Sequence, residues 1–324
     1  MKARLPATEL RTGKQRVEAR TFWQSIWRRM MQDKHLYMML LPVISFYLLF
    51  KFAPMIGEII AFKNYRFADG VFGSQWVGLK HFQMIFASPD FWRILRNTLV
   101  LNLYSLVFGF PIPVVLALLL NEVRRKWYKS IVQNMLYVPH FMSWAVLGGI
   151  VVAVLSPSTG VVNMVLKKIS GGESVYFMAD SFWWPLIYTL SSTWREAGWG
   201  TILYMAAMAS IDPQLYDAAK MDGANKLRQI WHITLPGIRS TIAVLLILRM
   251  GQMMDVGLEQ TLVLQNNSVL DVADVISTYV YRVGLQNMSY SYTTAIGLFQ
   301  SAIGLILIVG VNRMIRMTGE RGLW

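Results

Sequence analysis

Uncharged apolar runs of roughly 18 residues or more recur along these 324 residues. As helices, each is long enough to cross a hydrocarbon core about 30 Å thick. A chain built this way folds in lipid, where backbone groups must be satisfied internally and helices are the obvious solution. Six spans are expected, over about 36–53, 97–120, 136–156, 183–209, 238–258 and 292–312. The fold class is therefore an all-α membrane protein. The composition agrees, with 55% hydrophobic residues, 12 Trp and only 15% charged residues.

The net charge of +13 raises the question of nucleic acid. In a membrane protein, retention of Lys and Arg on the cytoplasmic side explains it better, and no nucleic acid is expected. With both termini inside, 20 of the 31 Lys and Arg fall on the inside segments and eight on the outside ones. That split places residues 210–237 in the cytoplasm. Ahead of the first span, Trp23, Ile26, Trp27, Met30 and Met31 recur at helical spacing among basic residues. They predict an amphipathic helix lying in the membrane interface. Residues 1–35 thus read as tail and interfacial helix, 36–96 as first span and periplasmic segment, 97–312 as the core, and 313–324 as a cytoplasmic tail. The N-terminus lacks the apolar core of a secretory signal, so the first span is expected to stay in the mature chain.

One cytoplasmic segment, LYDAAKMDGANKLRQIWHITLP (215–236), is more charged than its surroundings. Asp212 offers an N-cap acceptor, and Pro213 fits a first helical turn. Gly223 permits a change of direction after about two turns. A second short helix over 224–233 would place Leu227, Ile230 and Trp231 on one face and end before Pro236. An ordinary solvated loop needs neither the helix-start chemistry nor the apolar face. A projecting helix pair suits docking in a partner's groove.

Asp217-Ala218-Ala219, Asp222-Gly223-Ala224 and Ile233-Thr234-Leu235-Pro236 resemble, in order and spacing, the "EAA" loop of ABC importer permeases. Asp217 stands where that family usually has Glu. The segment 78–105 resembles the lead into the core domain of sugar importers of the maltose-permease type. YVPHFMSWAV and the terminal GERGLW are similar to the oligosaccharide, aldouronate and alginate-importer subgroup. The resemblance implies one permease paired with a second, usually different, permease subunit. It also implies two ATP-binding subunits, an external substrate-binding protein and the bacterial inner membrane. Asp217, Ala218, Ala219, Asp222, Gly223, Leu227 and Pro236 would carry the coupling to the ATPase.

Such a subunit needs no cofactor of its own, with ATP and magnesium held by the partner. No GxxxxGK[ST] phosphate loop occurs. Ile169-Ser170-Gly171-Gly172-Glu173 resembles an ATPase signature, but without that loop it reads as chance. The chain has no Cys, and its four His are scattered without metal-ligand spacing, so no metal site is expected. Nor is a hydrolase triad visible, so an enzyme is not expected.

Ionisable groups in lipid usually face a cavity or a partner. Trp194, Arg195 and Trp199 in the fourth span, with Arg249, Gln252 and Asp255 in the fifth, are the candidates for a substrate path. The last three recur every third residue and would share one helical face. Interhelical pairing explains such groups as readily as a path does. Two Arg would suit an acidic sugar, with Glu196 and Asp255 as the groups able to neutralise them. The rival from another class is an ion-driven carrier working without an ATPase, which would need paired carboxylates in its spans and no docking loop.

Overall fold

The computed structural model describes residues 31–317 together with 319, 322 and 323. The amphipathic stretch up to Met30 lies outside the described residues, as do three of the six positions of the terminal GERGLW. The chain divides into two units, residues 1–59 and 60–324.

The long apolar runs become helices, named here in chain order. They are α1 (Lys34–Phe62), α2 (Lys80–Ala87), α3 (Pro89–Glu122), α4 (Lys126–Phe141), α5 (Trp144–Leu155) and α6 (Val161–Ser170). After them come α7 (Trp183–Ala209), α8 (Pro213–Met221), α9 (Lys226–Gly251), α10 (Leu258–Leu264), α11 (Ile276–Val280) and α12 (Tyr290–Met317). Two residue pairs, Lys63–Asn64 and Gln75–Trp76, form a small antiparallel hairpin, so the chain is not purely helical.

Among the described residues, α1, α3, α9 and α12 are long and apolar enough to cross a membrane. The pair α4 and α5, bent by 106°, makes a fifth if taken as one span. Helix α7 has the bounds expected for span four, but Arg195, Glu196 and its Ser and Thr residues leave it less apolar than these.

Several expected boundaries move. The first span, expected over about 36–53, belongs to a 29-residue helix in which Lys51 lies inside a wide π-helical turn, Leu48–Phe52. The third span is not one rod over 136–156. Pro139 sits in a tight 3₁₀ turn, Val138–Phe141, Met142 is extended, and Ser143 restarts the helix by accepting the Val146 N–H. A proline with a new N-cap four residues later breaks the span rather than merely kinking it.

The fifth span starts earlier and stops sooner than 238–258. Helix α9 does not end before Pro236. The π-helical turn Ile230–Thr234 widens the coil, so that Pro236 falls in the first turn of the renewed α-helix, where its missing N–H costs little. At its far end the helix stops at Gly251, and Gln252 leaves helical geometry at φ −97°, ψ 7°. Arg249, Gln252 and Asp255 therefore do not share a helical face, because only Arg249 is helical.

Within the larger unit, close helix contacts use small residues, as membrane interfaces do. A Cβ at Gly198 would collide with the Leu136 carbonyl, and Gly304 lies close against the Gly251 carbonyl. Helix α3 is fixed to the segment before α12 by side chains bonding backbone. Asn97 Nδ2 donates to the carbonyls of Asp271 and Asp274, and Thr98 Oγ1 accepts the Ile276 N–H.

Candidate functional site

A cavity of about 530 Å³ opens between α3, α5, α7 and the end of α9. Of the six path candidates, Arg195, Trp199, Arg249, Gln252 and Asp255 line it. Trp194 does not; it is 46% exposed and outside the lining. The irregular turn after Gly251 is what brings Gln252 and Asp255 there, held by Gln252 N–H on the Arg249 carbonyl and Asp255 N–H on the Gln252 carbonyl. Asn102 Nδ2 pins that turn to α3 by donating to the Asp255 carbonyl.

The charges in this wall are not equivalent. Arg195 Nη1 lies 3.1 Å from Glu196 Oε1, and its guanidinium covers the ring of Trp144 at 5.0 Å. Glu196 Oε2 meets His140 Nδ1 at 3.0 Å, and the His140 ring lies flat on Trp199, with centroids 4.7 Å apart and planes 2° apart. The broken span thus clasps α7 by residues on either side of its elbow. Arg249 stands apart from this network and donates through Nη2 to Ser105 Oγ at 2.6 Å.

His140, Trp144 and Ser105 were not singled out in the sequence. They are 56, 51 and 144 residues from the partners they meet, and only YVPHFMSWAV, read there as a family trait, marked two of them. Among the described residues, no three His, Asp or Glu side chains come together as a metal ion would need.

The second candidate region is the segment 212–236. Asp212 Oδ1 accepts the Gln214 N–H at 2.9 Å and starts α8. The helix ends in a paired C-cap: Gly223 N–H bonds the Lys220 carbonyl and Ala224 N–H bonds the Ala219 carbonyl. This Schellman arrangement requires a left-handed residue, and Gly223 supplies it at φ +75°. Asn225 then caps α9 by accepting the Arg228 N–H at 2.9 Å, a second start signal that the sequence reading passed over.

Lys220 and Asp217 pair at 2.8 Å on the exposed side of α8, and Lys226 reaches Glu122 at the end of α3. Tyr216 bonds the buried Thr234 hydroxyl at 3.0 Å and holds α8 against α9. Asp217, Ala218, Asp222, Leu227 and Pro236 are exposed, and Ala219 is half-buried. Met221 at 89%, Leu227 at 68% and Trp231 at 67% exposure give this helix pair an uncovered apolar surface.

Long apolar helices around a polar, aromatic-walled cavity, with a helix pair standing out between two of them, define a membrane transport subunit. The chain belongs to the family described as the binding-protein-dependent transport system inner membrane component, whose pattern matches residues 109–317. It is 47% identical to the polygalacturonan/rhamnogalacturonan transport system permease protein YteP of Bacillus subtilis (strain 168), over 91% of this chain and 92% of that protein. It is 46% identical to protein LplB of the same organism, over 93% of this chain and 94% of that one.

Among solved structures, it resembles a chain in the crystal structure of a bacterial alginate ABC transporter in complex with alginate pentasaccharide-bound periplasmic protein. The TM-score is 0.84 and the identity 44%, covering 92% of this chain and 99% of that chain. The chain is a multi-pass transport subunit, not an enzyme.

Proposed function

We propose that this chain forms half of the translocation path of an ATP-driven importer for acidic oligosaccharides in the bacterial inner membrane. The observation that carries the reading is the family match over 109–317, which takes in the helix pair and all of the cavity lining but Leu101, Asn102 and Ser105. Polygalacturonan and alginate, named for two of its relatives, are polymers of uronic acids. A second permease subunit completes the path, a periplasmic binding protein delivers the sugar, and two ATPase subunits bind ATP and magnesium.

Six spans, both termini and residues 212–236 in the cytoplasm complete the arrangement, with α4–α5 and α7 among the six. The exposed Met221, Leu227 and Trp231, with the outward side of Asp217-Ala218-Ala219, fit a groove on the ATPase. Gly223 sets the angle between the two helices. The cavity supplies what a sugar needs: aromatic rings at Trp199 and Trp144, each with one face taken by His140 or Arg195, and polar groups at Arg249, Gln252 and Asp255.

The test is affinity purification of the full chain from its native membrane, with and without residues 212–236. Recovery of an ATPase subunit with the intact chain and its loss from the deletion is the expected outcome. An intact chain that brings down no ATPase in mild detergent would favour a carrier working alone.

A further inference from the structure

Two arginines in one cavity pose a question that the fold answers: which of them is available to a ligand? We propose that Arg249 receives a carboxylate of the passing sugar and that Ser105 positions it, while Arg195 is held in the wall. The inference rests on the acidic-oligosaccharide reading above.

The argument starts from the partners already engaged. Arg195 has its charge matched by Glu196 at 3.1 Å, and one face of its guanidinium covered by Trp144. The second oxygen of Glu196 is taken by His140, and His140 is stacked on Trp199. An incoming carboxylate would have to displace Glu196 and unstack Arg195 together, and Arg195 Nε, left without a partner among the described residues, is buried.

Arg249 is in a different state. It lies within 4.0 Å of no carboxylate among the described residues, and its one side-chain hydrogen bond there is to the neutral hydroxyl of Ser105. A guanidinium has five N–H donors in a planar fork that matches a carboxylate two by two. One bond to Ser105 leaves an edge of that fork open to the cavity. An ionisable group near lipid without an ionic partner is costly, and such positions are where ligand paths are found.

The placing of Ser105 is a second observation. It opens the π-helical turn Ser105–Gly109 in α3, where the Phe110 N–H reaches back five residues to the Ser105 carbonyl at 3.0 Å. Such turns reset the direction of side chains within a helix and are frequent at functional sites. Here the turn aims a hydroxyl at Arg249 across the cavity.

Asp255 lines the same cavity but forms no ion pair with Arg249. It balances the charge of the empty site and repels an arriving anion. A path must bind its cargo weakly enough to release it. Asp255 therefore tunes how firmly Arg249 holds a uronate.

The test uses the whole transporter, both permeases, two ATPases and the binding protein, in proteoliposomes. Uptake of trigalacturonate and of its methyl ester is compared, each at a concentration that saturates the binding protein. The readout is the acid-to-ester ratio, in which delivery and assembly effects cancel between variants. Arg249→Gln is expected to lower that ratio about ten- to a hundredfold, the span for losing a charge-assisted bond. Arg249→Lys should restore part of it, Ser105→Ala should lower it severalfold, and Asp255→Asn should raise it.

Equal loss for acid and ester in Arg249→Gln, with Ser105→Ala also leaving the ratio unchanged, overturns the proposal and leaves Arg249 a packing residue. A wild-type transporter that takes the ester and rejects the acid overturns it too, yet spares the importer reading. ATP hydrolysis without uptake of either sugar counts against the oligosaccharide reading itself.

Discussion

Asp274 shows how much one side chain can hold outside the spans. It is 2% exposed and accepts Arg282 at 2.6 and 3.2 Å and the Thr278 hydroxyl at 2.8 Å. The hydrogen bond from Arg282 to this carboxylate lifts the guanidinium pKa above its ordinary value. Asp274→Ala would leave Arg282 without its carboxylate and Thr278 with only the Val275 carbonyl as acceptor. Arg282 is half-open to water, so the expected cost is about 3 kcal/mol, the low end for breaking a buried pair. A lowered melting temperature in detergent, with a smaller drop for Asp274→Asn, checks this. The sequence reading passed over Asp274, since Thr278 and Arg282, four and eight residues on, meet it only once the chain winds through Ile276–Val280 and Tyr281–Gln286. The cavity shows the same limit. Arg195 and Arg249 were legible as charges within apolar runs, but their difference was not, since it depends on Glu196 and His140 meeting across a broken helix.

Among the elements, α8 and the start of α9 were the most legible, because caps and turns are local chemistry. Asp212, Pro213 and Gly223 do what their types suggest, and the Schellman bonds explain why the glycine is needed. A Cβ at Gly223 would meet nothing within 4 Å, so the obstacle there is φ and not space. Gly223→Leu is therefore expected to cost about 1–2 kcal/mol at this turn, the penalty for a left-handed residue. Its effect on transport should be larger, with ATP hydrolysis continuing in the assembled complex while uptake falls. Gly223→Asn, which tolerates that backbone, should retain most uptake, and paired ATPase and uptake assays decide it. Pro236 and Pro139 act in opposite ways. The rule that proline ends a helix holds at Pro139, where Ser143 offers a new start, and fails at Pro236, where a widened turn takes up the missing bond.

For the whole molecule, hydropathy located the apolar runs and left the breaks within them unseen, since α4 and α5 are apolar enough together to be read as one span. Orientation rests on the bias of Lys and Arg. Because the chain has no cysteine, single-cysteine labelling runs without background. Lys220→Cys should react with a membrane-impermeant maleimide only from the cytoplasmic side, and Ile169→Cys only from the outside. The reverse pattern, or both on one side, would overturn the six-span topology. One feature of α9 has mechanical meaning. The helix carrying Leu227 and Trp231 at one end carries Arg249 at the other, without interruption over 26 residues. At 1.5 Å per residue that is a rod about 33 Å between Leu227 and Arg249. Pivoted at one end, a tilt of about 10° sweeps the other through about 6 Å. On the proposed function, α9 is a lever arm, with the ATPase grip at one tip and the sugar's charge at the other.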